Sequence, residues 1–342
     1  MQKYTRSLVV SVAAVLVVCI SYTVTDMIIS RSFVPSWVSN TFKQKKVKKK
    51  VVPTLVKFMS YKSAMNKTQK INKPVMVDVY TDWCGWCTRL DETTYNDKNV
   101  AALCKDKFYS VKVDGETPDG KKFCAAHNIQ GFPTIMFIDS KGVEIDRIVG
   151  YLPAEVFIRE LNKIVDGKKT FSALKELVKQ TPEDGEVLCL LGKGYMEREN
   201  YKDAIGLFEK AGILNYPGKN VEEIESSIIS CNLGLKENVK ALGLAEKFIV
   251  KNPTSTTVIY MYRVCAYIHK NNKDYKKAIP YVEKAFKPPY SFKELSAIYG
   301  LMGDKKNQAL QKQKFDEFMK TQNALRQQQQ QKQQQQPAKK GK

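Results

Sequence analysis

Val75-Met76-Val77-Asp78-Val79-Tyr80-Thr81-Asp82-Trp83-Cys84-Gly85-Trp86-Cys87 is the stretch on which the reading of the chain turns. Its first seven residues, entered through Pro74, form a short apolar run rich in β-branched side chains, the pattern of a buried strand. Thr88-Arg89-Leu90 then continues as a helical stretch, so Cys84 sits just before a helix, with Cys87 one helical turn on from it. Unpaired backbone N–H groups and the helix dipole at such a place favour a thiolate, lowering the pKa from its free value of about 8.5. The thiolate is the attacking species in sulfur exchange, and a second cysteine one turn away can close a ring with it.

Working outward, Lys57–Asn72 reads as a helix, Phe108–Val113 as a strand and Lys121–His127 as a helix. Thr134–Ile138 and Val143–Val149 read as strands, and the turn residues Asp139-Ser140-Lys141-Gly142 between them predict a hairpin. Pro153–Val165 is an amphipathic helix that closes the unit. Strands alternating with helices and ending in a hairpin imply an α/β domain over residues 55–167, with a mixed central sheet flanked by helices.

The string Asp78 to Cys87, with Gly131-Phe132-Pro133-Thr134 and Gly150 downstream, resembles the thioredoxin superfamily, in particular bacterial thioredoxin-like proteins with a Trp-Cys-x-x-Cys centre. The likeness covers about a third of the chain. It implies a thiol–disulfide oxidoreductase, more a reductase than an oxidase, acting on proteins that carry thiols or disulfides. An upstream thiol reductant or oxidant would reset it, and it would need no cofactor beyond its own Cys84–Cys87 disulfide. Cys84 is then the nucleophile, Cys87 the resolving cysteine, Asp78 the buried acid that exchanges protons with it, and Pro133 the cis-proline facing the pair. Trp83, Trp86, Phe132 and Thr134 make up the expected substrate-contact surface. Two departures stand out: Ser110 falls near the place of the family's buried lysine, and Gly115–Gly120 is longer than in the simplest members. Family potentials span roughly −270 to −120 mV, so the motif alone does not set the direction of exchange.

Beyond residue 167, Leu188, Leu191, Gly192, Tyr195, Ala204, Phe208, Ala211 and Pro217 reproduce the tetratricopeptide (TPR) helix–turn–helix pattern. Ala204, Ala241 and Ala278 recur every 37 residues, and Asn200-Tyr201-Lys202-Asp203-Ala204-Ile205 is nearly copied by Asp274-Tyr275-Lys276-Lys277-Ala278-Ile279. The middle unit is degenerate, with Asn232 where an aromatic is usual, and Glu294–Thr321 supplies a capping segment. Residues 168–320 are therefore expected to form an all-α TPR-like array that binds a peptide or protein partner. A rival reading makes the whole chain a TPR scaffold or chaperone-like binder with the first domain only structural. The intact Cys84/Cys87 pair speaks against it, because a scaffold needs no adjacent reactive thiols.

At the N-terminus, Lys3 and Arg6 precede the apolar run Leu8–Ile20, which reads as a signal peptide or membrane anchor over residues 1–30. This predicts an exported, periplasmic or membrane-tethered protein facing away from the cytosol. The lysines of 43–50, within a basic linker over 31–54, argue for the opposite orientation. Residues 321–342, rich in Gln and Lys, are expected to be a disordered tail. The net charge of +21 is concentrated in that linker and tail, without a basic stripe interleaved with stacking aromatics, so nucleic acid is not an expected partner. Cys84, Cys87, Cys124 and His127 have the ligand types of a structural zinc site, but Cys124 belongs to a different helix, so no metal is expected. Thr88 stands where haem attachment would need His. Cys19, Cys104, Cys124, Cys189, Cys231 and Cys265 are scattered and read as small buried hydrophobes, and His269 as a helix C-terminal residue.

Overall fold

The computed structural model describes residues 53–214 and 220–334. The predicted leader or anchor, nearly all of the basic linker, Cys19, Pro217 and residues 335–342 lie outside the described residues. Among those described, no helix is long and apolar enough to cross a membrane.

The α/β domain runs α1 (Tyr61–Ile71), β1 (Val75–Tyr80), α2 (Gly85–Glu92), a 3₁₀ turn (Thr94–Asn96), α3 (Lys98–Lys107), β2 (Tyr109–Asp114), α4 (Pro118–Ala126), β3 (Thr134–Ile138), β4 (Glu144–Val149) and α5 (Ala154–Asp166). The sheet order is β2-β1-β3-β4. β1 pairs with β2 in parallel and with β3 antiparallel, and β3–β4 is the expected hairpin. α1 starts later than predicted because Met59 bridges Val111 at the sheet edge, and Ser60 then caps the helix, its Oγ accepting from Ser63 N. α3 was not foreseen as a separate helix, although its start is marked by Asp97, whose carboxylate accepts from the backbone N–H groups of Asn99 and Val100.

Alternation along the strands divides the core between the two faces of the sheet. Met76, Ile135 and Phe137 join Leu90, Tyr95, Phe108, Phe157 and Leu161 beneath α2, α3 and α5. Val75, Val77, Val79, Val111 and Met136 pack with Ala64 and Ile129 beneath α1 and α4. Each fully buried side chain of this size stabilises the fold by roughly 1.5–3 kcal/mol, so this domain has a core of its own.

The rest is all helical: α6 (Phe171–Gln180), α7 (Gly185–Glu197), α8 (Tyr201–Ile213), α9 (Asn220–Gly234), α10 (Asn238–Lys251), α11 (Val258–Asn271), α12 (Tyr275–Ala285), α13 (Tyr290–Leu301) and α14 (Lys305–Gln334). α7 and α8 form the hairpin read from the TPR pattern, with Leu188, Ala204, Phe208 and Ala211 at its core. A Cβ on Gly192 would lie 2.9 Å from the Phe208 ring, so only glycine lets α7 and α8 approach this closely. The repeat markers Ala204, Ala241 and Ala278 are all fully buried. Asn232, the irregular residue of the middle unit, is buried too, its Nδ2 donating to Ile228 O at 2.7 Å. Cys189, Cys231 and Cys265 are buried as expected, whereas Cys124 is half-exposed. His269 lies in the last turn of its helix, stacked on Tyr281.

The chain forms two compact units, one through Leu235 and the other from Lys236, so the α/β domain and the first hairpin share a unit. They are joined by α6, unpredicted from the sequence, which packs against β4 and leads directly into that hairpin. One finding differs from the expected organisation: helix α14 runs through the segment expected to be disordered from 321, as far as Gln334. Gln, Lys and Arg are good helix formers, and a helix already nucleated by packing against α13 extends at little cost.

Candidate functional site

Cys84 is the N-cap of α2: its backbone is extended, and its Sγ accepts a hydrogen bond from Cys87 N at 3.0 Å. Thr81 O anchors the turn by accepting from Cys84 N at 3.2 Å. The two sulfurs are joined as a disulfide with Cα atoms 5.2 Å apart. Both cysteines are almost wholly buried, so exchange must occur at a small exposed edge of the pair.

That edge is ringed by aromatics. Trp83 and Trp86 are 44% and 57% exposed, unusual for side chains of their size. Trp83 meets the Phe132 ring edge-on at 5.8 Å, and Trp86 stacks on Tyr151 at 5.6 Å, with Arg89 over the far ring. The Phe132–Pro133 peptide is cis, and Pro133 O accepts from Gly150 N at 2.8 Å. Phe132 reaches its position because residue 115 is glycine: a Cβ there would lie 2.8 Å from the Phe132 ring. Thr134, expected in the contact surface, is instead buried, its hydroxyl donating to Gly131 O at 2.9 Å, so its side chain shapes the loop from within.

Asp78 is buried on β1, on the sheet face covered by α2. The lysine partner that Ser110 was expected to replace is present, as Lys112. Parallel pairing sets Lys112 directly opposite Asp78, while Ser110 pairs with Met76. Lys112 Nζ lies 3.2 Å from Asp78 Oδ2 and 2.5 Å from Asp91 Oδ1. The rings of Phe58, Tyr80 and Tyr95 surround the ammonium at 4.9–5.6 Å. Burial on its own would lower the Lys112 pKa, but Asp78 and Asp91 more than offset it and hold the ammonium above its ordinary value. Burial first, and then the Asp78 charge, push the Tyr95 hydroxyl well up.

Asp91 was missed as a site residue. It lies one helical turn beyond Cys87, so both fall on the buried face of α2. The i, i+4 spacing was readable; its meaning depended on knowing which face of α2 is buried. The result is a carboxylate–ammonium–carboxylate group between β1, β2 and the buried face of α2 that also carries Cys87, with one net negative charge when all three are ionised. Such a group can pass a proton to or from a sulfur while its lysine holds the remaining charge in place. Cys124 and His127 take no part in it, and no group of three metal-ligating side chains occurs among the described residues.

The family described as a thioredoxin-like domain matches residues 61–164, from α1 to the end of α5. Residues 61–164 form a thioredoxin-like domain. Among curated relatives, the thiol:disulfide interchange protein DsbD of Photorhabdus laumondii is 33% identical over 100 residues, 28% of this chain and 17% of its own length. The Haemophilus influenzae protein of the same name is 30% identical over 128 residues, 35% of this chain and 22% of that one. The chain thus spans only 17–22% of these relatives' length. A thioredoxin from Thermus thermophilus is 25% identical, covering 32% of this chain and 87% of its own, with a TM-score of 0.31. MamA from Desulfovibrio magneticus is 20% identical over 44% of this chain and 85% of its own, with a TM-score of 0.38. The domain match and the names of the curated relatives support thiol–disulfide chemistry at a coarse level.

Proposed function

We propose that this protein is a thiol–disulfide oxidoreductase, working mainly as a reductase of protein disulfides, with its helical hairpins holding the client or a partner. The observation that carries the reading is the placement of Cys84 Sγ at the N-terminus of α2, accepting from Cys87 N, with the buried Asp78 and Asp91 joined through the half-buried Lys112 on the side of the sheet that α2 covers. The backbone N–H and the helix dipole stabilise negative charge on that sulfur and not on its partner.

In the dithiol form the Cys84 thiolate attacks one sulfur of a substrate disulfide. A mixed disulfide forms and the first substrate thiolate leaves. Cys87 gives its proton to the Asp78 carboxylate, and its sulfur attacks Cys84 Sγ, expelling the second substrate thiolate. Two electrons pass to the substrate, which takes up two protons, and the Cys84–Cys87 disulfide remains. An upstream dithiol restores the pair by the same steps in reverse. The Trp83, Trp86 and Phe132 rings grip apolar side chains of the substrate, and backbone beside Pro133 pairs with an extended substrate segment. The apolar run Leu8–Ile20 supports an exported or membrane-tethered location, which a compartment reporter fused after Lys50 would test.

Insulin reduction by wild type and by Cys84→Ser tests the activity. Turnover by the wild type that is lost in the variant is expected. Equal turnover by both, or none by either, would favour a scaffold role for the chain.

A further inference from the structure

The loop that carries Phe132 and Pro133 leaves α4 at His127 and enters β3 at Thr134, and part of its support comes from the first helical hairpin. Asn128, in the left-handed region with φ 49°, donates from Nδ2 to Arg198 O at 2.6 Å. Arg198 caps the C-terminus of α7. On the loop's other flank, Arg147 Nη2 donates to His127 O at 2.8 Å. Arg147 is itself gripped by both oxygens of Glu144, at 2.7 Å each. The same Glu144 Oε1 accepts from Arg198 Nη2 at 2.6 Å. Arg198 is then fixed from behind by Gly194 O at 2.7 Å and by the Phe171 ring, whose centroid lies 3.5 Å from the guanidinium carbon. Both guanidinium side chains are buried, 3% and 9% exposed.

We infer that Arg198 and Asn128 are positioning residues through which the first hairpin sets the Phe132–Pro133 loop against the Cys84–Cys87 pair, so that the helical region acts on how protein substrates are gripped. This rests on the reading of that pair as the redox centre. The argument is geometric. A loop pinned at Asn128 by the Arg198 carbonyl, and at His127 through Arg147 and Glu144 by the Arg198 guanidinium, cannot shift without disturbing that one residue, and packed, hydrogen-bonded networks of this kind carry coupling between sites. The network holds the loop at its entry, at His127 and Asn128, so its effect is expected on substrate docking and not on the reactivity of Cys84.

The full chain is compared as wild type, Asn128→Gly and Arg198→Met, with insulin as the protein disulfide and Ellman's reagent as a small one. Asn128→Gly keeps the left-handed backbone and removes the bond to Arg198 O together with the one that Asn128 Oδ1 accepts from Gln130 Nε2 at 3.2 Å, so Gln130→Ala, which removes only the latter, is the control and is expected to keep the wild-type KM. The expected result is a KM for insulin raised on the order of fivefold in Asn128→Gly and in Arg198→Met, with kcat and the rate with the small disulfide unchanged. Wild-type KM in Asn128→Gly would overturn the inference, as would equal losses on both substrates. If Arg198→Met does not fold, Asn128→Gly alone decides. A wild type that fails to reduce insulin would sink the underlying reading as well, an outcome distinct from active wild type with unaltered variants.

Discussion

Lys112→Met removes a cation shared by the buried carboxylates of Asp78 and Asp91, and its consequence follows from the geometry. At 3.2 Å and an effective dielectric constant near 20, the Lys112–Asp78 attraction alone is on the order of 5 kcal/mol. Desolvation offsets part of this, but removing one partner strands the others, and the net cost of breaking such a buried group is about 3–5 kcal/mol. At neutral pH the variant can recover some of that loss by retaining a proton on a carboxylate. Each retained proton costs about 1.4 kcal/mol per pH unit above the ordinary carboxylate value. The sign is therefore definite: the variant's deficit is largest near pH 7–8 and narrows as the pH falls towards 4. In the wild type the opposite limb is expected. The Lys112 pKa is raised by folding, so its stabilisation is complete below the ordinary value of 10.5 and is lost as the pH climbs through the folded value. Tryptophan fluorescence during urea unfolding is a suitable assay, because Trp83 and Trp86 flank the disulfide and the helical repeats contain no tryptophan. An unchanged urea midpoint at pH 7, or a deficit that does not shrink in acid, would refute the reasoning.

Asp78→Asn should slow disulfide turnover by about a hundredfold at neutral pH, since the proton acceptor for Cys87 is gone; stopped-flow kinetics with insulin would register it, and wild-type rates would remove Asp78 from the mechanism. Burial pushes the thiols of Cys104, Cys231 and Cys265 up to about 12. After reduction, native alkylation near pH 8 should therefore label Cys84 and spare these three, as read by peptide mass spectrometry. Gly192→Val should destabilise the first hairpin by about 1–3 kcal/mol through overpacking against Phe208, seen as a lower helical melting temperature by circular dichroism; an unchanged melt would mean that α7 and α8 can separate freely.

Much of the site was legible because it is local. Cys84 and Cys87 are read from their spacing, the helix start from the run that follows, and the β3–β4 hairpin from Asp139–Gly142. The TPR pattern was equally plain, since its small residues mark helix contacts and return at a fixed period. Lys112 was not legible: it joins Asp78 across a parallel pairing that needs a crossover, and sequence spacing does not say which residue of β2 stands opposite. The α14 helix through the tail was missed for the converse reason, because composition ignores the packed start from which a helix extends.

The sequence by itself determined the sulfur pair, the strand that leads into it, and the helical repeat, because each depends on residues a few positions apart. Only the tertiary structure decided that Lys112 joins two carboxylates on the side of the sheet that α2 covers and that Arg198 reaches the loop beside Pro133. Charges separated by tens of residues interact only after the sheet register and the helix packing have brought them within a few ångströms, and that proximity is a property of the whole fold.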